Sequence, residues 1–479
     1  MARELLMKFA DLAASTGAEL RPGAGYHVGF SSVSIDSRKV EEGALFVALP
    51  GATTDGHRFV EAALKAGAAG IMAARSRVKD PTLRIEETTT ATRAVLVVVE
   101  DTLRGLQDAA RGYLENFPNL CRVGITGSSG KTTTKEIAAA MVGREKRVVV
   151  NPGNLNSETG LPLAVFGVRR EHEVGIFELG MNRRGEIAEL ARVLKPHIAL
   201  ITTIGSSHIG NIGSREAILY EKKMIFSGFT GAETALIPDD DEFRDELAAG
   251  VRGRICFYGR RSFTELGELR TLGLDGAEIT WEGIPARLSL PGKHNVKNAL
   301  AAAAIAKAIS VGDEAIRGGL GSVKPLFGRS EILRGALTVI RDCYNANPES
   351  VEAAIEFCDS LDWPGRRVYV IGSMLELGDQ SPAAHRELGR MLAASHADKI
   401  FFFGKETAAA RNYIEENQAA DRIPFFYTDA MDELSRELAD YVLPGDLVLL
   451  KGSRGCALER LNDVLFFSDS GDTSAKGDF

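Results

Sequence analysis

The sequence predicts a mixed α/β protein of three domains, of which the second and third contain parallel sheets. A chain of 479 residues is too long for one hydrophobic core. Apolar runs alternate with helix-like stretches from residue 116 onward and restart beyond residue 328, and this alternation favours parallel sheets covered by helices. We therefore predict domains at 1–115, 116–324 and 325–467, and a disordered tail of small, polar and acidic residues at 468–479.

The first domain is predicted from short local patterns. Strand-like runs lie at Val33–Ile35 and Ala44–Leu49, and a helix-like stretch follows at Phe59–Ala66. The polar piece Asp36–Val40 between the two runs is typical of a loop. These patterns indicate a small α/β domain.

The second and third domains each contain four apolar runs that predict strands. They lie at 123–126, 147–150, 174–177 and 198–204 in the second domain, and at 337–340, 368–371, 400–403 and 447–450 in the third. Between the two sets, Gly321–Gly328 contains glycine, serine and proline without helical or strand periodicity. We predict an interdomain hinge in this segment.

The composition is that of an ordinary globular protein, with 44% hydrophobic and 25% charged residues. A formal charge of −8 argues against general nucleic-acid binding, which needs a basic surface. No apolar run reaches the roughly 18 residues that span a bilayer, and the start of the chain lacks a signal-peptide pattern, so we expect a cytoplasmic protein. The five cysteines lack Cys-x-x-Cys spacing and predict neither a disulfide framework nor a zinc site.

A glycine-rich stretch at 123–134, Val-Gly-Ile-Thr-Gly-Ser-Ser-Gly-Lys-Thr-Thr-Thr, predicts a strand, a loop and the start of a helix. That order is typical of a nucleoside triphosphate site. Gly127 and Gly130 allow the backbone to approach phosphates, Lys131 can reach the β and γ oxygens, and the Thr132 hydroxyl can hold Mg²⁺. The loop is shorter than the common phosphate-binding loop, because Ile125 stands where that loop has its first glycine.

Polar residues follow several of the predicted strands, where ligands of open parallel sheets bind. Glu178 is a candidate magnesium ligand, with a helix-capping or solvated glutamate as the alternative. His208 is either a second metal ligand or a pocket histidine. Asn154 and Asn156 lie in a glycine loop, where they contact phosphate or metal-bound water or serve only as turn residues.

Lys222 is predicted to lie on the apolar face of a helix. Helical stepping from Ser214 places the apolar pairs at 218–219 and 225–226 on one face, with Lys222 at its centre. Burial of an ammonium is costly and favours the neutral amine. The alternative is that Lys222 extends to solvent or pairs with an acidic group, and Lys223 at the edge of this face is better placed to reach solvent.

The candidate residues of the glycine loop and the strand ends belong to a longer series of motifs that runs in order along nearly the whole chain. This series resembles the Mur ligase family. The matching segments are Thr-Gly-Ser-Ser-Gly-Lys-Thr-Thr at 126–133, Asn-Leu-Asn-Ser-Glu-Thr-Gly-Leu-Pro at 154–162, Glu-Leu-Gly-Met-Asn at 178–182, His208, Leu-Pro-Gly-Lys-His-Asn-Val-Lys-Asn at 290–298, Gly-Arg at 328–329, Asp-Cys-Tyr-Asn-Ala-Asn-Pro at 342–348 and Lys-Gly-Ser-Arg-Gly at 451–455. No single motif would suffice, whereas the ordered set is highly specific.

The resemblance implies an ATP-dependent ligase that requires Mg²⁺. It implies an N-terminal α/β domain for a UDP-linked substrate, a central parallel-sheet domain for ATP, and a C-terminal Rossmann-like domain for the acceptor. The segments at 178–182 and 344–348 resemble those of the members that add a dipeptide. The implied substrates are therefore UDP-N-acetylmuramoyl-tripeptide and D-alanyl-D-alanine, in peptidoglycan synthesis, and we expect a monomer.

The resemblance also implies roles for individual residues. The ATP-binding set is Thr126, Gly127, Ser128, Ser129, Gly130, Lys131, Thr132, Thr133, Asn154, His294, Asn295, Asn298, Arg329 and Asp342, with Asn298 near adenine. Ser37 and Arg38 are implied at the UDP end of the substrate, and Tyr344, Asn345, Asn347, Ser453 and Arg454 at the acceptor. The implied metal set is Thr132, Glu178, His208 and Lys222, the last as a carbamate formed with CO₂, and the implied catalytic set is Lys131, Glu178, His208 and Lys222.

Two alternatives remain open from the sequence. One is another ligase of the same fold, which adds an earlier residue to the muramyl peptide or glutamate to folate. The other is an ATP-binding regulatory protein without catalytic activity. The residues also leave open whether the third residue of the tripeptide is diaminopimelate or lysine.

Overall fold

A computed structural model describes residues 4–22, 28–51, 53–417, 419 and 422–466 of the chain. In this part of the chain the three predicted α/β domains are present in order. The tail predicted at 468–479 lies outside the described residues.

The first domain contains a five-stranded sheet in the order β2-β7-β6-β5-β4, parallel except for β2. Its elements are β1 (Met7–Lys8), α1 (Phe9–Thr16), β2 (Glu19–Pro22), β3 (Gly29–Phe30), β4 (Ser32–Ser34), β5 (Ala44–Val47), α2 (Val60–Lys65), β6 (Gly70–Ala74), α3 (Arg75–Val78), α4 (Ile85–Thr90), β7 (Val95–Val99) and α5 (Thr102–Leu114). The two strand-like runs and the helix-like stretch predicted from the sequence correspond to β4, β5 and α2.

The second domain contains a six-stranded parallel sheet in the order β13-β12-β11-β8-β10-β9 and a small antiparallel sheet, β14-β15-β16. Its elements are β8 (Cys121–Thr126), α6 (Lys131–Val142), β9 (Val148–Val150), α7 (Gly160–Val165), β10 (Val174–Glu178), α8 (Glu186–Leu194), β11 (Ile198–Ile201), α9 (Ile209–Ile212), α10 (Arg215–Lys223), β12 (Thr234–Pro238), α11 (Arg244–Ala248), β13 (Arg254–Tyr258), β14 (Leu266–Thr271), β15 (Ala277–Trp281), β16 (Ile284–Leu288), α12 (Lys293–Ala308) and α13 (Asp313–Ser322). The antiparallel sheet was not predicted.

The third domain contains a six-stranded sheet in the order β17-β18-β22-β19-β20-β21, parallel except for β17. Its elements are β17 (Glu331–Arg334), β18 (Thr338–Asp342), α14 (Pro348–Asp359), β19 (Arg367–Gly372), α15 (Ser381–Ala394), β20 (Lys399–Phe403), α16 (Ala408–Glu416), β21 (Phe425–Thr428), α17 (Met431–Tyr441), β22 (Leu447–Lys451) and α18 (Asn462–Phe466). The predicted hinge needs a correction at its start, because α13 continues to Ser322 and the irregular segment begins at Val323.

The central sheet gathers the ends of three strands at one edge. β8 pairs in parallel with both β10 and β11, with Glu178 opposite Ile125 and Ile201 opposite Thr126. Because parallel strands end at the same edge, the glycine loop after β8, the carboxylate at the end of β10 and the loop after β11 lie side by side. β11 ends at Ile201, three residues earlier than predicted. Thr202 is therefore available to donate through Oγ1 to the backbone oxygen of Ser129.

The second domain contacts both of the other domains directly. The first domain packs through α5 against α7 and α8 of the second, where the Tyr113 hydroxyl donates to the Val168 carbonyl at 2.7 Å. The third domain contacts the loop after β11, where Ser206 donates to the carboxylate of Glu349. The predicted site therefore lies at the junction of the second and third domains. Among the described residues, no helix has both the length and the apolar character to cross a membrane.

Candidate active site

A cavity of about 440 Å³ lies between the glycine loop of the second domain and, in the third, the segments that flank β17 and β18 and the start of α14. Most residues predicted for the site line it together: Ser128, Ser129, Gly130, Lys131, Thr132, Thr133, Asn154, Glu178, His208, Lys222, His294, Asn295, Asn298, Arg329, Asp342, Tyr344, Asn345, Asn347 and Arg454. Residues far apart in the sequence thus converge on one space.

Two positions of the glycine loop have a backbone conformation that strongly favours glycine. φ is 151° at Gly127 and 80° at Gly130, a region that side chains disfavour. A Cβ at Gly127 would lie 1.8 Å from Thr202 Oγ1, and one at Gly130 would lie 2.2 Å from Asn298 Oδ1. Gly130 offers no side-chain cap to α6, so the first amides of this helix remain available for phosphate oxygens.

Lys131 and Lys222 meet at the same carbonyl group. Lys131 Nζ donates to the Gly127 oxygen at 2.8 Å, and Lys222 Nζ donates to it at 3.0 Å. Burial lowers the pKa of Lys131 below its ordinary value, against the opposing effect of Glu178. Burial, and then the charge of Lys131, hold the pKa of Lys222 well below its ordinary value. Lys222 is only 1% exposed and lies on the buried face of α10, as the sequence predicted.

The Glu178 carboxylate is buried and held by neighbours on both oxygens. Thr132 Oγ1 donates to Oε2 and Asn156 Nδ2 donates to Oε1, each at 2.7 Å. The Glu178 carboxylate and the Thr132 hydroxyl offer the hard oxygen ligands that Mg²⁺ prefers, so these two residues fit the predicted metal. Lys135, which is fully buried, donates to the backbone oxygen of Asn151 at 2.6 Å.

Asn151 is a residue that the sequence analysis missed. Its side chain accepts from the Glu178 backbone amide at 2.9 Å and donates to the Glu178 carbonyl at 3.3 Å. It therefore fixes the end of β10 and the direction of the carboxylate. The signal available in the sequence was weak, because Asn151 precedes Pro152 and resembles an ordinary turn residue.

His208 lies at the start of α9, with φ of 63°, and lines the same cavity. Its Nδ1 is 2.6 Å from Oε2 of Glu376 in the third domain. This contact lowers the pKa of the Glu376 carboxyl below its ordinary value. Sequence reasoning could not find Glu376, since nothing in the local pattern shows which domain surface it faces.

The third domain contributes charged and amide groups to the opposite wall. Arg329 stacks over the Tyr344 ring, with its guanidinium carbon 4.0 Å from the ring centroid. The Asp342 carboxylate accepts from the Ser330 amide at 3.0 Å and from Lys451 Nζ at 2.7 Å. Asn347 caps α14 and donates through Nδ2 to Ser207 Oγ of the second domain.

A few predicted residues lie behind the cavity wall or away from it. Thr126 is buried and donates to the Leu179 carbonyl, while Ser453 accepts from the Leu375 amide at 2.9 Å and does not line the cavity. Gly127 presents its carbonyl to the two lysines. Ser37 and Arg38 lie in the first domain, outside this cavity, and Arg38 pairs with the neighbouring Asp36 at 2.8 Å.

A second cavity of about 520 Å³ adjoins the first at Asn298, which lines both. Its walls include the apolar side chains of Val296 and Leu300 on α12 and the ring of Tyr258 on β13. Asp239 and Asp240 supply carboxylates at the end of β12. The first cavity, beside the glycine loop, and the second, more apolar cavity therefore meet at Asn298.

The fold and the site define the class of protein as an enzyme that uses a nucleoside triphosphate across three α/β domains. Three family models match the chain: the Mur ligase family catalytic domain over residues 29–113, the Mur ligase middle domain over 125–306 and the Mur ligase glutamate ligase domain over 328–454. The chain belongs to the Mur ligase family.

Individual relatives match over nearly the whole chain. The UDP-N-acetylmuramoyl-tripeptide--D-alanyl-D-alanine ligase of Treponema pallidum is 43% identical over 464 residues, which cover 96% of this chain and 99% of the relative. A crystal structure of MurF from Acinetobacter baumannii is 29% identical, has a TM-score of 0.84 and covers 97% of this chain and 99% of that one. A structure of MurF ligase from Thermotoga maritima in complex with ADP is 30% identical, has a TM-score of 0.76 and covers 90% of this chain and 96% of that one.

Proposed function

We propose that this chain is an ATP-dependent ligase that joins D-alanyl-D-alanine to the terminal carboxylate of UDP-N-acetylmuramoyl-tripeptide. The products are UDP-N-acetylmuramoyl-pentapeptide, ADP and phosphate, in peptidoglycan synthesis. The observation that carries the proposal is the 43% identity to a ligase of this name along 96% of the chain. The convergence of Lys131, Glu178 and Lys222 on one cavity supports a catalytically active member.

The chemistry requires activation, because a carboxylate does not react with an amine at neutral pH. Attack of the carboxylate oxygen on the γ-phosphorus breaks the bond to the β-phosphate oxygen and forms an acyl phosphate and ADP. The neutral amine of the dipeptide then attacks the acyl carbon, loses a proton, and expels phosphate to leave an amide. Both reactants of the first step are anions, so positioning and charge neutralisation dominate catalysis.

Within this reaction Lys131 and the first amides of α6 neutralise the phosphate oxygens. The Thr132 hydroxyl, Glu178 and His208 would hold Mg²⁺, which withdraws charge from the transferring phosphoryl group. Arg329 and Asn347 of the third domain line the cavity, and substrates bound there would displace water that would otherwise hydrolyse the acyl phosphate.

The second cavity is proposed to hold the nucleoside end of ATP. Its apolar walls suit a base, the carboxylates of Asp239 and Asp240 suit ribose hydroxyls, and Asn298 joins it to the phosphate end. The same proposal places the acceptor dipeptide at the third-domain wall, near Tyr344 and Arg454. Ser37 and Arg38 stay predictions for the UDP end in the first domain.

We also propose that Lys222 reacts with CO₂ to form a carbamate that serves in the metal site. The lysine is buried, its pKa is lowered, and it lines the cavity with Glu178 and His208. A neutral amine attacks the carbon of CO₂ and loses a proton, and the resulting carbamate carries the negative charge that a cation prefers. Resemblance to the family supports this assignment.

The carbamate has a test with a matched neighbour. We expect Lys222→Ala to be nearly inactive and to be partly rescued by millimolar acetate or formate, whereas Lys223→Ala keeps its activity. Lys223 is a fair control because its Nζ lies outside the cavity, against the carbonyl groups of Glu246 and Ala249. In labelled bicarbonate, the carbon-13 spectrum of the wild-type protein should show a carbamate signal that is absent from Lys222→Ala. Absence of this signal from the wild-type protein, or its persistence in Lys222→Ala, would refute the modification.

The function has a direct assay. Amide formation should require ATP, D-alanyl-D-alanine and a UDP-muramoyl-tripeptide, and parallel assays with lysine and diaminopimelate as the third residue identify the natural tripeptide. Phosphate release with an earlier muramyl peptide plus an amino acid, or with folate plus glutamate, would instead indicate a sister activity. Absence of release with every pair would indicate a regulator. We further propose that the protein is a monomer and that it is cytoplasmic, since ATP is a cytoplasmic substrate.

A further inference from the structure

We propose that Glu376 is a positioning residue for His208, so that docking of the third domain fixes the imidazole in the orientation that receives a cation. This inference rests on the proposed function, because it concerns the metal site of that reaction. It assigns to a third-domain carboxylate a role in the metal site of the second domain.

The contact between the two side chains crosses the domain boundary. His208 Nδ1 and Glu376 Oε2 are 2.6 Å apart, and both residues line the cavity. The imidazole is largely buried, with 17% of its side chain exposed, whereas the Glu376 side chain is 51% exposed. The carboxylate belongs to the third domain, so it reaches the imidazole only when that domain is docked.

A carboxylate at this position selects one tautomer of the ring. Imidazole binds a cation through a nitrogen that carries a lone pair, and the other nitrogen carries the proton. A carboxylate only accepts, so at a separation of 2.6 Å it favours the proton on Nδ1 and the lone pair on Nε2. A rotation of the ring is needed to align that N–H with the carboxylate oxygen. Histidine ligands of metals in other proteins commonly donate their second nitrogen to a carboxylate, which fixes the ring and raises its basicity.

The backbone around the two side chains allows little freedom. φ is 63° at His208 and 66° at Glu376, both in the left-handed region that non-glycine residues rarely adopt. The Gly210 amide donates to the Glu376 carbonyl at 3.0 Å. The left-handed turn of each loop is thus stabilised by its contact with the other loop.

The two loops also approach too closely for side chains. A Cβ at Gly210 would lie 2.4 Å from the Gly378 amide nitrogen, and one at Gly378 would lie 2.8 Å from the Gly210 Cα. Both nearest atoms belong to the backbone, which cannot move aside as a side chain can. An alanine at Gly210 would therefore hold the third domain away and separate Glu376 from His208 without altering either side chain.

The test measures cation binding rather than turnover. Mn²⁺ is titrated into the full chain with a non-hydrolysable ATP analogue and UDP-tripeptide, and bound ion is followed by electron paramagnetic resonance. We expect Glu376→Ala to weaken Mn²⁺ binding about 10- to 100-fold, the range found for residues that support metal ligands. Glu376→Gln should recover part of the loss, since its amide oxygen can still accept from Nδ1–H.

Gly210→Ala provides the second arm and should weaken Mn²⁺ binding as much as Glu376→Ala. Combining the two should add nothing further, because both remove the same contact. Gly228→Ala is the matched control with unchanged affinity, since a Cβ there meets no atom within 4 Å. Thermal unfolding of each variant checks that the fold is retained.

The outcomes separate this inference from the proposed function. If His208→Ala weakens Mn²⁺ binding and Glu376→Ala does not, Glu376 is not a positioning residue, while the ligase function stands. Additive losses in the double variant would also overturn the inference, because they would mean that Gly210 and Glu376 act independently. If His208→Ala itself binds Mn²⁺ normally, the metal role of His208 and this inference both fail, and the ligation assay alone decides the function.

Discussion

Removal of the Glu178 carboxylate tests the assignment of the cavity most directly. The side chain is 2% exposed and accepts hydrogen bonds from Thr132 and Asn156, each at 2.7 Å. We expect Glu178→Ala to lower turnover about 10²- to 10³-fold, which corresponds to about 2.7–4 kcal/mol of transition-state stabilisation. The two freed donors border the open cavity, where water can accept from them, so we expect the variant to stay folded.

The assay follows phosphate release and amide formation at saturating Mg²⁺, with thermal unfolding and binding of UDP-tripeptide measured in parallel. Binding of the UDP-tripeptide should persist, because its uridine end is assigned to the first domain. Glu406→Ala is the control, since this carboxylate also accepts a 2.7 Å hydrogen bond from a hydroxyl, that of Ser373, and lies outside both cavities. Retention of more than a tenth of wild-type turnover in Glu178→Ala would show that the assigned role is wrong.

Three further predictions concern the phosphate loop, the hinge and acid stability. Lys131→Ala should lose activity to a similar extent while it still binds UDP-tripeptide, and a variant with near-normal turnover would contradict its role at the phosphates. The segment 323–328 should act as the hinge, so small-angle scattering should give a smaller radius with ATP analogue and UDP-tripeptide than without, and an equal radius counts against closure. Burial lowers the pKa of His385, whose Nε2 accepts from the Met374 amide at 3.0 Å. The unfolded chain therefore takes up a proton first as the pH falls below the ordinary histidine value of about 6.5, and stability is lost from there toward the folded pKa. The free energy of unfolding should depend less on pH in this window in His385→Gln, and an unchanged slope would refute the assignment.

The phosphate loop and the strand-end carboxylate could be predicted because their signals are local. A strand, a glycine pair and a lysine at the start of a helix stand within 12 residues, so the pattern fixes the geometry of the loop. The position of Glu178 could be predicted for a similar reason, since the residue that ends a buried parallel strand lies at the edge of the sheet where ligands bind. Lys222 was found from helical periodicity, and its burial confirms that prediction.

The elements that escaped prediction lack such local signals. β14, with the sequence Leu-Gly-Glu-Leu-Arg-Thr, does not alternate apolar and polar residues, and Pro285 inside β16 argues against a strand there. β17 pairs antiparallel at the edge of its sheet, and the sequence pattern of a short edge strand resembles a loop. Asn151 and Glu376 could not be assigned, because their roles depend on contacts with residues 27 and 168 positions away.

The geometry around Gly127 disfavours two charged lysines side by side. Both ammonium groups would donate to one carbonyl, at 2.8 and 3.0 Å, and the charge of Lys131 opposes that of Lys222. Glu178 favours the charged form of both amines, and Glu221 also favours that of Lys222, so position distinguishes the two lysines: Lys131 begins α6 at the glycine loop, where the phosphates are expected. Burial and the charge of Lys131 hold the pKa of Lys222 well below its ordinary value, which favours the neutral amine there. Conversion of that amine to a carbamate would turn the repulsion into attraction and would place an anion beside the cation site. The crowding of two lysines on one carbonyl is thus a physical reason for the modification that the family resemblance implies.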